Sequence, residues 1–170
     1  MDVFEAVRTR RSIRAYQDKP VEKEKLNQVL EAGRLSPSAV NLQPWHFISV
    51  TDKTARESLL SAYNHHWFVN APVIIVGCAL PDEAWERQDR EEYWKVDVAI
   101  AMQSMVLVAR ELGLGTCWIG AFKEESVKEA LGIPREVRVV ALTPLGYPAE
   151  QKGPVVDRKP LDEIVHYDRW

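Results

Sequence analysis

The chain has 170 residues, with 22 Lys and Arg against 25 Asp and Glu and a formal net charge of −3. That length reads as a single domain over 1–170, long enough to bury about two thirds of the surface its unfolded chain would expose. The acidic balance excludes a general nucleic-acid binder, which needs clustered Lys and Arg along its surface. Cys78 and Cys117 are the only two cysteines. They do not make a disulfide framework and read as buried free thiols. The N-terminus shows no signal-peptide pattern. The longest apolar run, Val98–Ala109, is interrupted by Gln103 and Ser104 and falls short of the ~20 residues that span a bilayer. The expectation is a cytoplasmic protein with neither membrane nor nucleic-acid partners.

Asp2-Val3-Phe4-Glu5 fits a capping box that opens a short helix. Pro20 leads into a helix over Val21–Ala32, with Leu26, Val29 and Leu30 on one face and Gly33 as its stop. Trp45–Val50 reads as a strand, and Asp52 caps a helix running to about Tyr63. Val73–Val76 is a short buried strand with Pro72 at its start. Residues 81–95 are charged, with Trp85, Tyr93 and Trp94 interleaved. Asp97–Leu112 is apolar nearly all round, the mark of a helix buried on most sides, and is ended by Gly113 and Gly115. Lys123–Leu131 is a helix stopped by Gly132 and Pro134, Val137–Leu142 a strand, and Pro144–Pro148 a turn. In the tail from Gln151 to Trp170, Leu161, Ile164, Val165, Tyr167 and Trp170 are too apolar for a free end and call for a packing surface, a second subunit among the candidates. Helices and strands interleave irregularly, which predicts an α+β fold with a central, mostly antiparallel sheet flanked by helices. A Rossmann unit is disfavoured, because no strand leads into a G-x-G-x-x-G turn.

Two segments carry chemistry. In Arg10-Arg11-Ser12-Ile13-Arg14, a helical spacing would set Arg10 and Arg14 on one face. Two guanidiniums about a hydroxyl suit a phosphate or an electron-rich ring edge, against the plain alternative of a solvated basic face paired with Glu5 or Asp18. In Pro37–Trp45, two prolines stiffen a loop carrying Ser38, Asn41 and Gln43, whose side chains can donate to and accept from a planar ring with carbonyl and imide groups. The alternative there is an ordinary helix-to-strand connection.

These segments, in this order, resemble the two signature segments of the nitroreductase family. The resemblance continues through Asn70-Ala71-Pro72, Gly113–Gly120, Leu145–Pro148 and Arg158-Lys159-Pro160, nearly the whole chain. It implies the nitroreductase-like fold, an intertwined homodimer whose C-terminal extension packs on the partner, and one FMN per subunit at the interface. Arg10 and Ser12 would hold the FMN phosphate, completed by Arg158 with Lys159. Arg11 would line the ribityl chain or ring, and Arg14 would sit at the pyrimidine edge. Pro37, Ser38 and Ala39 would come from the neighbouring subunit, with Asn41 and Gln43 in the same supporting loop. Asn64 falls at a flavin-contacting asparagine, and Trp118, Ile119 and Gly120 would cover one flavin face. The implied activity is ping-pong hydride transfer from NADH or NADPH through FMN to a small-molecule acceptor: a nitroaromatic, a quinone or another electron-poor organic. Other FMN chemistry on the same fold (reductive dehalogenation, dehydrogenation, flavin breakdown) and a non-catalytic FMN-binding module are the alternatives.

No side chain need act as a catalytic nucleophile, since the flavin carries the chemistry while Arg14 and Gly120 tune it. The chain departs from larger members in its short segment between Val73 and Asp97 and in Trp67, where some relatives carry a lysine. His65-His66 has no ligand-spaced company, so no metal is expected. Cys117 has no neighbouring base to make a thiolate. Trp85, Tyr93 and Trp94 suit either a lid over the ring or packing at a subunit contact.

Overall fold

The computed structural model describes residues 1–170. It has six helices, α1 (Val3–Thr9), α2 (Lys23–Arg34), α3 (Lys53–Ser58), α4 (His66–Val69), α5 (Trp94–Glu111) and α6 (Glu124–Leu131), and four strands, β1 (Trp45–Val50), β2 (Val73–Ala79), β3 (Gly115–Thr116) and β4 (Arg138–Gly146). The strands form one sheet in the order β1-β2-β4-β3. Every pairing between them is antiparallel.

The sheet is covered on both faces, and β2 shows why. All seven of its residues are buried, as expected of a strand sandwiched between two helical layers. Its side chains alternate between faces. Ile74, Val76 and Cys78 join Leu59, Phe68, Val127 and Leu142 on the side of α3, α4 and α6. Val73 and Ile75 join Val29, Met105 and Ala109 on the side of α2 and α5. Each large side chain so removed from water contributes about 1.5–3 kcal/mol. Burial also pushes the Cys78 thiol up to about 12, which leaves it a core residue without thiolate chemistry.

Several boundaries differ from the sequence reading, each for a local reason. The helix over Val21–Ala32 is displaced to Lys23–Arg34, and Gly33 does not stop it. Gly33 is buried within α2, where an added Cβ would lie 2.0 Å from Met105 Cε; it is there for the close approach of α5. The helix from Asp52 breaks after Ser58 into a 3-10 turn, Leu59–Ser61. In the capping box, Asp2 Oδ1 accepts from Glu5 N at 2.7 Å, but the Glu5 carboxylate turns to Arg8 instead of back to the cap. α5 starts at Trp94, and Trp94 is a core residue beside Trp45 and Val98. That removes it from any lid, whereas Trp85 and Tyr93 pack edge-to-face on each other.

α5 ends as a Schellman motif. Gly113, at φ 77°, sits beyond the cap, Gly113 N donates to Arg110 O, and Leu114 N donates to Ala109 O. Gly115 is the first residue of β3 rather than a helix stop. The turn expected at Pro144–Pro148 is instead the end of β4, which runs on through Gly146. Pro144 is tolerated because its edge faces a gap in the ladder. Leu142 bonds both ways with Ile119, β3 resumes only opposite Leu145 and Gly146, and position 144 lies between them.

Beyond β3 the sheet is extended by the N-terminal segment. Ser12 bridges Thr116 in parallel, and Ile13 N donates to Thr116 O at 2.9 Å. Gly115 permits this approach, since a Cβ there would lie 2.7 Å from Ile13 Cγ1 and 2.9 Å from Ile13 Cβ. Ile13 is β-branched and cannot swing clear. Gly115→Ala is therefore expected to lose about 1–3 kcal/mol of stability. Gly153→Ala, where a Cβ meets nothing within 4 Å, should stay within about 0.5 kcal/mol of the parent. Urea denaturation of both variants checks the pair.

Candidate functional site

α1 stops at Thr9, and Arg10 is already extended, with φ −60° and ψ 132°. The helical face expected to join Arg10 and Arg14 therefore does not exist. The backbone of this segment is spent on the sheet and on the segment after β4: Gln17 N donates to Tyr147 O and Ala15 O accepts from Ala149 N, both at 2.9 Å. An extended chain alternates its side chains. Arg10 and Ser12 reach one cavity, while Arg11 and Ile13 line another.

A clamp from residues 150–153 fixes the segment. Glu150 Oε1 accepts from Arg14 N at 2.7 Å and pairs with Lys152 Nζ at 2.9 Å. Lys152 Nζ donates to Ser12 O at 2.8 Å, and an Arg11 Nη donates to Gly153 O. The Tyr16 hydroxyl donates to Ile13 O at 2.8 Å. Burial, with smaller contributions from its neighbours, pushes that hydroxyl well above the ordinary tyrosine range, so it remains a donor. The Arg14 N–H, then Lys152, hold the Glu150 carboxyl below its usual value of 4.5.

The first cavity, of about 380 Å³, is lined by Arg10, Ser12, Gln103, Val106, Thr116 and Trp118. A smaller one, of about 240 Å³, brings Arg10 together with Arg158 beside Phe4 and Val7. Arg10 makes no ion pair and no side-chain hydrogen bond, unlike Arg8, which is bound to Glu5. Trp118 is 44% exposed, a flat apolar surface beside an unpaired guanidinium. Arg14 places its guanidinium 5.9 Å from the centre of the Trp67 ring, within cation–π range. Ile119 is buried. Gly120 is exposed, and a Cβ there would meet only Trp118 Nε1 at 3.7 Å. Asn64 is exposed in the loop before α4, Arg158 donates to Asp157 O at 2.8 Å, and Lys159 is exposed.

The other signature loop lies apart. Ser38 Oγ accepts from Gln43 N at 2.9 Å, and Gln43 Nε2 donates to Asn41 O at 3.2 Å. Pro37 is exposed, and Ala39 N donates to Asp97 Oδ1 at 2.9 Å. Val40, Asn41 and Gln43 have φ of 52°, 58° and 53°. Left-handed backbone is costly for a β-branched residue such as Val40, about 1–3 kcal/mol, so the loop is held in an uncommon shape. Within one chain, residues 37–43 line neither cavity.

Sequence reasoning missed the groups that hold these segments. Asp97 is 1% exposed, with Oδ1 on the 37–43 loop and Oδ2 lacking any partner; its one signal was a lone acid within an apolar run. Glu150 and Lys152 gave no local signal, because their partners lie far away in sequence. Cys117 is buried. His65 belongs to an aromatic cluster, 4.4 Å from the Tyr63 ring centre. No three His, Cys, Asp or Glu side chains converge as a metal set, and no helix is long and apolar enough to cross a membrane.

The model of the Nitroreductase family matches residues 7–63 and 55–147. The chain belongs to the nitroreductase family. A relative in Methanothermobacter thermautotrophicus, provisionally named NADH dehydrogenase/NAD(P)H nitroreductase, is 38% identical over 176 residues, covering 100% of this chain and 88% of that protein. The crystal structure of a nitroreductase family protein from Clostridium difficile 630 superposes with a TM-score of 0.93 at 32% identity, covering 100% of both chains. An FMN-dependent nitroreductase from Clostridium difficile R20291 superposes with a TM-score of 0.81 at 32% identity, covering 98% of this chain and 99% of that one. The nitroreductase fold therefore stands with its antiparallel sheet; of the two signature segments, residues 10–13 line the cavities and residues 37–43 do not.

The clamp has a pH signature. A carboxyl with a lowered folded pKa supplies anchoring that is present above its unfolded value and lost as pH falls through the folded one. The Arg14 amide should keep its exchange protection factor at neutral pH and lose it once pH drops below about 4.5. Glu150→Gln should lower protection at neutral pH and remove the acid step. Amide exchange by NMR checks both.

Proposed function

We propose that this nitroreductase family protein works as a homodimer that passes two electrons from NADH or NADPH through FMN to an electron-poor organic acceptor, a nitroaromatic or a quinone, in a ping-pong cycle. It is an NAD(P)H-dependent FMN oxidoreductase by its family and by the names its relatives carry. The observation that carries the site reading is Arg10: an unpaired guanidinium beside the Ser12 hydroxyl, with the exposed Trp118 on the same cavity. A phosphate ester attached to a flat ring matches that donor set, because guanidinium and hydroxyl groups bind phosphoryl oxygens through charge-assisted bonds and an exposed indole offers a stacking face.

The chemistry FMN supplies when bound is two-electron exchange between a hydride donor and an acceptor. The chain's own residues do the rest. Arg10 and Ser12, with Arg158 and Lys159, hold the phosphate. Arg14, at the pyrimidine edge, presents a positive charge that stabilises negative charge developing on the ring. Trp118, Ile119 and Gly120 would cover one face, with Asn64 at the cofactor's margin, whereas Arg11, expected along the ribityl chain or ring, lines the cavity on the other side of the segment because the extended backbone alternates its side chains. The opposite face of the ring would be left open for donor and acceptor in turn, with water as the source of the proton.

The dimer reading is supported by apolar surface that one chain leaves uncovered. Val3 and Phe4 of α1 are 75% and 77% exposed, and Leu35, Val40, Leu42, Val96 and Ile100 are exposed as well. In the C-terminal extension Leu161, Ile164, Tyr167 and Trp170 are all exposed, which fits a segment that packs on a partner. The partner's Pro37, Ser38 and Ala39, with Asn41 and Gln43 behind them, would complete each flavin site. A solution mass of twice the chain mass is expected by light scattering, and a monomer would remove this reading.

FMN-saturated protein should show a flavin absorbance band that bleaches anaerobically on addition of NADH or NADPH. A band that stays unbleached with both donors would overturn the reductase. Arg10→Ala should chiefly lower FMN retention. Arg14→Ala should slow flavin reduction and lower the flavin potential while FMN retention changes little. Flavin content, stopped-flow absorbance and redox titration separate the two roles.

A further inference from the structure

A cavity of about 480 Å³ lies on the other side of the extended N-terminal segment. Arg10, Arg11, Arg110 and Lys152 line it, against one carboxylate, Glu150. The chain as a whole carries −3, so this concentration of positive charge runs against its general balance. Glu150 offsets only Lys152, with which it pairs while also accepting from the Arg14 N–H, and the three arginines are left uncompensated. Arg110 Nε donates to Thr9 Oγ1 at 3.0 Å, and Arg11 donates to the Gly153 carbonyl. Both partners are uncharged. None of the three arginines has a carboxylate partner, and most of their N–H donors are free. Five arginines elsewhere do pair with acids: Arg8 with Glu5, Arg34 with Glu31, Arg87 with Asp89, Arg90 with Glu86 and Arg138 with Glu124.

Three forked cations around a polar hollow of small-molecule size are a recognition set for phosphoryl oxygens. The hollow is not the flavin cavity. It includes neither Ser12, Trp118 nor Arg158, and it shares only Arg10 and Thr116 with the cavity that holds Ser12 and Trp118. Alternation along the extended segment explains the division, with Ser12 on one cavity and Arg11 and Ile13 on the other.

We propose that this cleft, with Arg11 and Arg110 as its donors and Arg10 at its border, is a second anion site that takes a phosphate or pyrophosphate group of a small molecule. Its linkage to the cofactor rests on the FMN reading above: Arg10 serves both cavities, so an occupant of the cleft competes for the charge that holds the FMN phosphate. Each ligand then weakens the other by the same factor.

The test is calorimetric titration of FMN-loaded protein with inorganic pyrophosphate and, separately, with ADP. One site per chain is expected, with affinity that falls as salt rises. Arg110→Gln should weaken binding about tenfold or more with flavin content unchanged, and Arg110→Lys should recover most of it. Arg11→Gln should weaken it as well, which keeps the test decisive if loss of Arg110 disturbs folding. Binding of pyrophosphate alone identifies a free polyanion as the occupant, and equal or tighter binding of ADP identifies a nucleotide; both support the site. Absence of binding at millimolar ligand, or binding indifferent to both glutamine variants, overturns it. Binding confined to flavin-free protein and displaced by FMN overturns it too, because the cleft would then be the phosphate arm of the flavin site. If the protein takes up no FMN but still binds pyrophosphate in an Arg110-dependent way, the flavin reading fails and the cleft stands.

Discussion

The hydrogen bond from Ile13 N to Thr116 O, with the Ile13 side chain seated over Gly115, is the contact on which the rest of the site depends. It turns a segment that would otherwise trail from α1 into a further strand at the β3 edge. Once it is extended, alternation divides its side chains between two cavities and a buried anchor. Shape and electrostatics are thus set by one register: a slip of one residue would bury an arginine and expose the isoleucine.

Electrostatics explains why the arrangement persists without internal partners. Several exposed cations in the chain rest on neighbouring acids, pairs that contribute little to stability and are easily screened. Around the N-terminal segment the pairing is withheld. Glu150 and Lys152 satisfy each other and the backbone, which leaves Arg10, Arg11 and Arg110 with donors that no carboxylate takes. A surface organised this way sacrifices some self-complementarity for the ability to receive an anion.

The parts legible in the sequence were those governed by local rules. β1, the buried identity of β2, the Gly113 end of α5 and the Asp2 cap follow from alternation, apolar runs and cap chemistry. Pro144 misled because proline reads as a strand breaker, and only the gap between Thr116 and Ile119 in the neighbouring ladder makes it acceptable. Gly33 misled because a packing glycine and a helix stop look alike until Met105 is seen beside it. Arg10 and Arg14 were read with a helical spacing, since nothing local announces that the Ile13 and Arg14 N–H groups pair with Thr116 and Glu150, more than a hundred positions away. Asp97 was passed over as the first residue of an apolar helix, because what it holds, the backbone of Ala39, is a tertiary fact.

The clamp that binds residues 11–14 to residues 150–153 also fixes an order of events. Its contacts span 140 residues between Ser12 and Lys152 and 136 between Arg14 and Glu150. Contacts of such separation close late, after the loop entropy between them has been offset by local packing. The two helical layers and the central strands β1, β2 and β4 can assemble while the arginine segment is still loose. Capacity to hold an anion is then acquired only by chains that have finished folding, and a bound anion selectively traps that finished population.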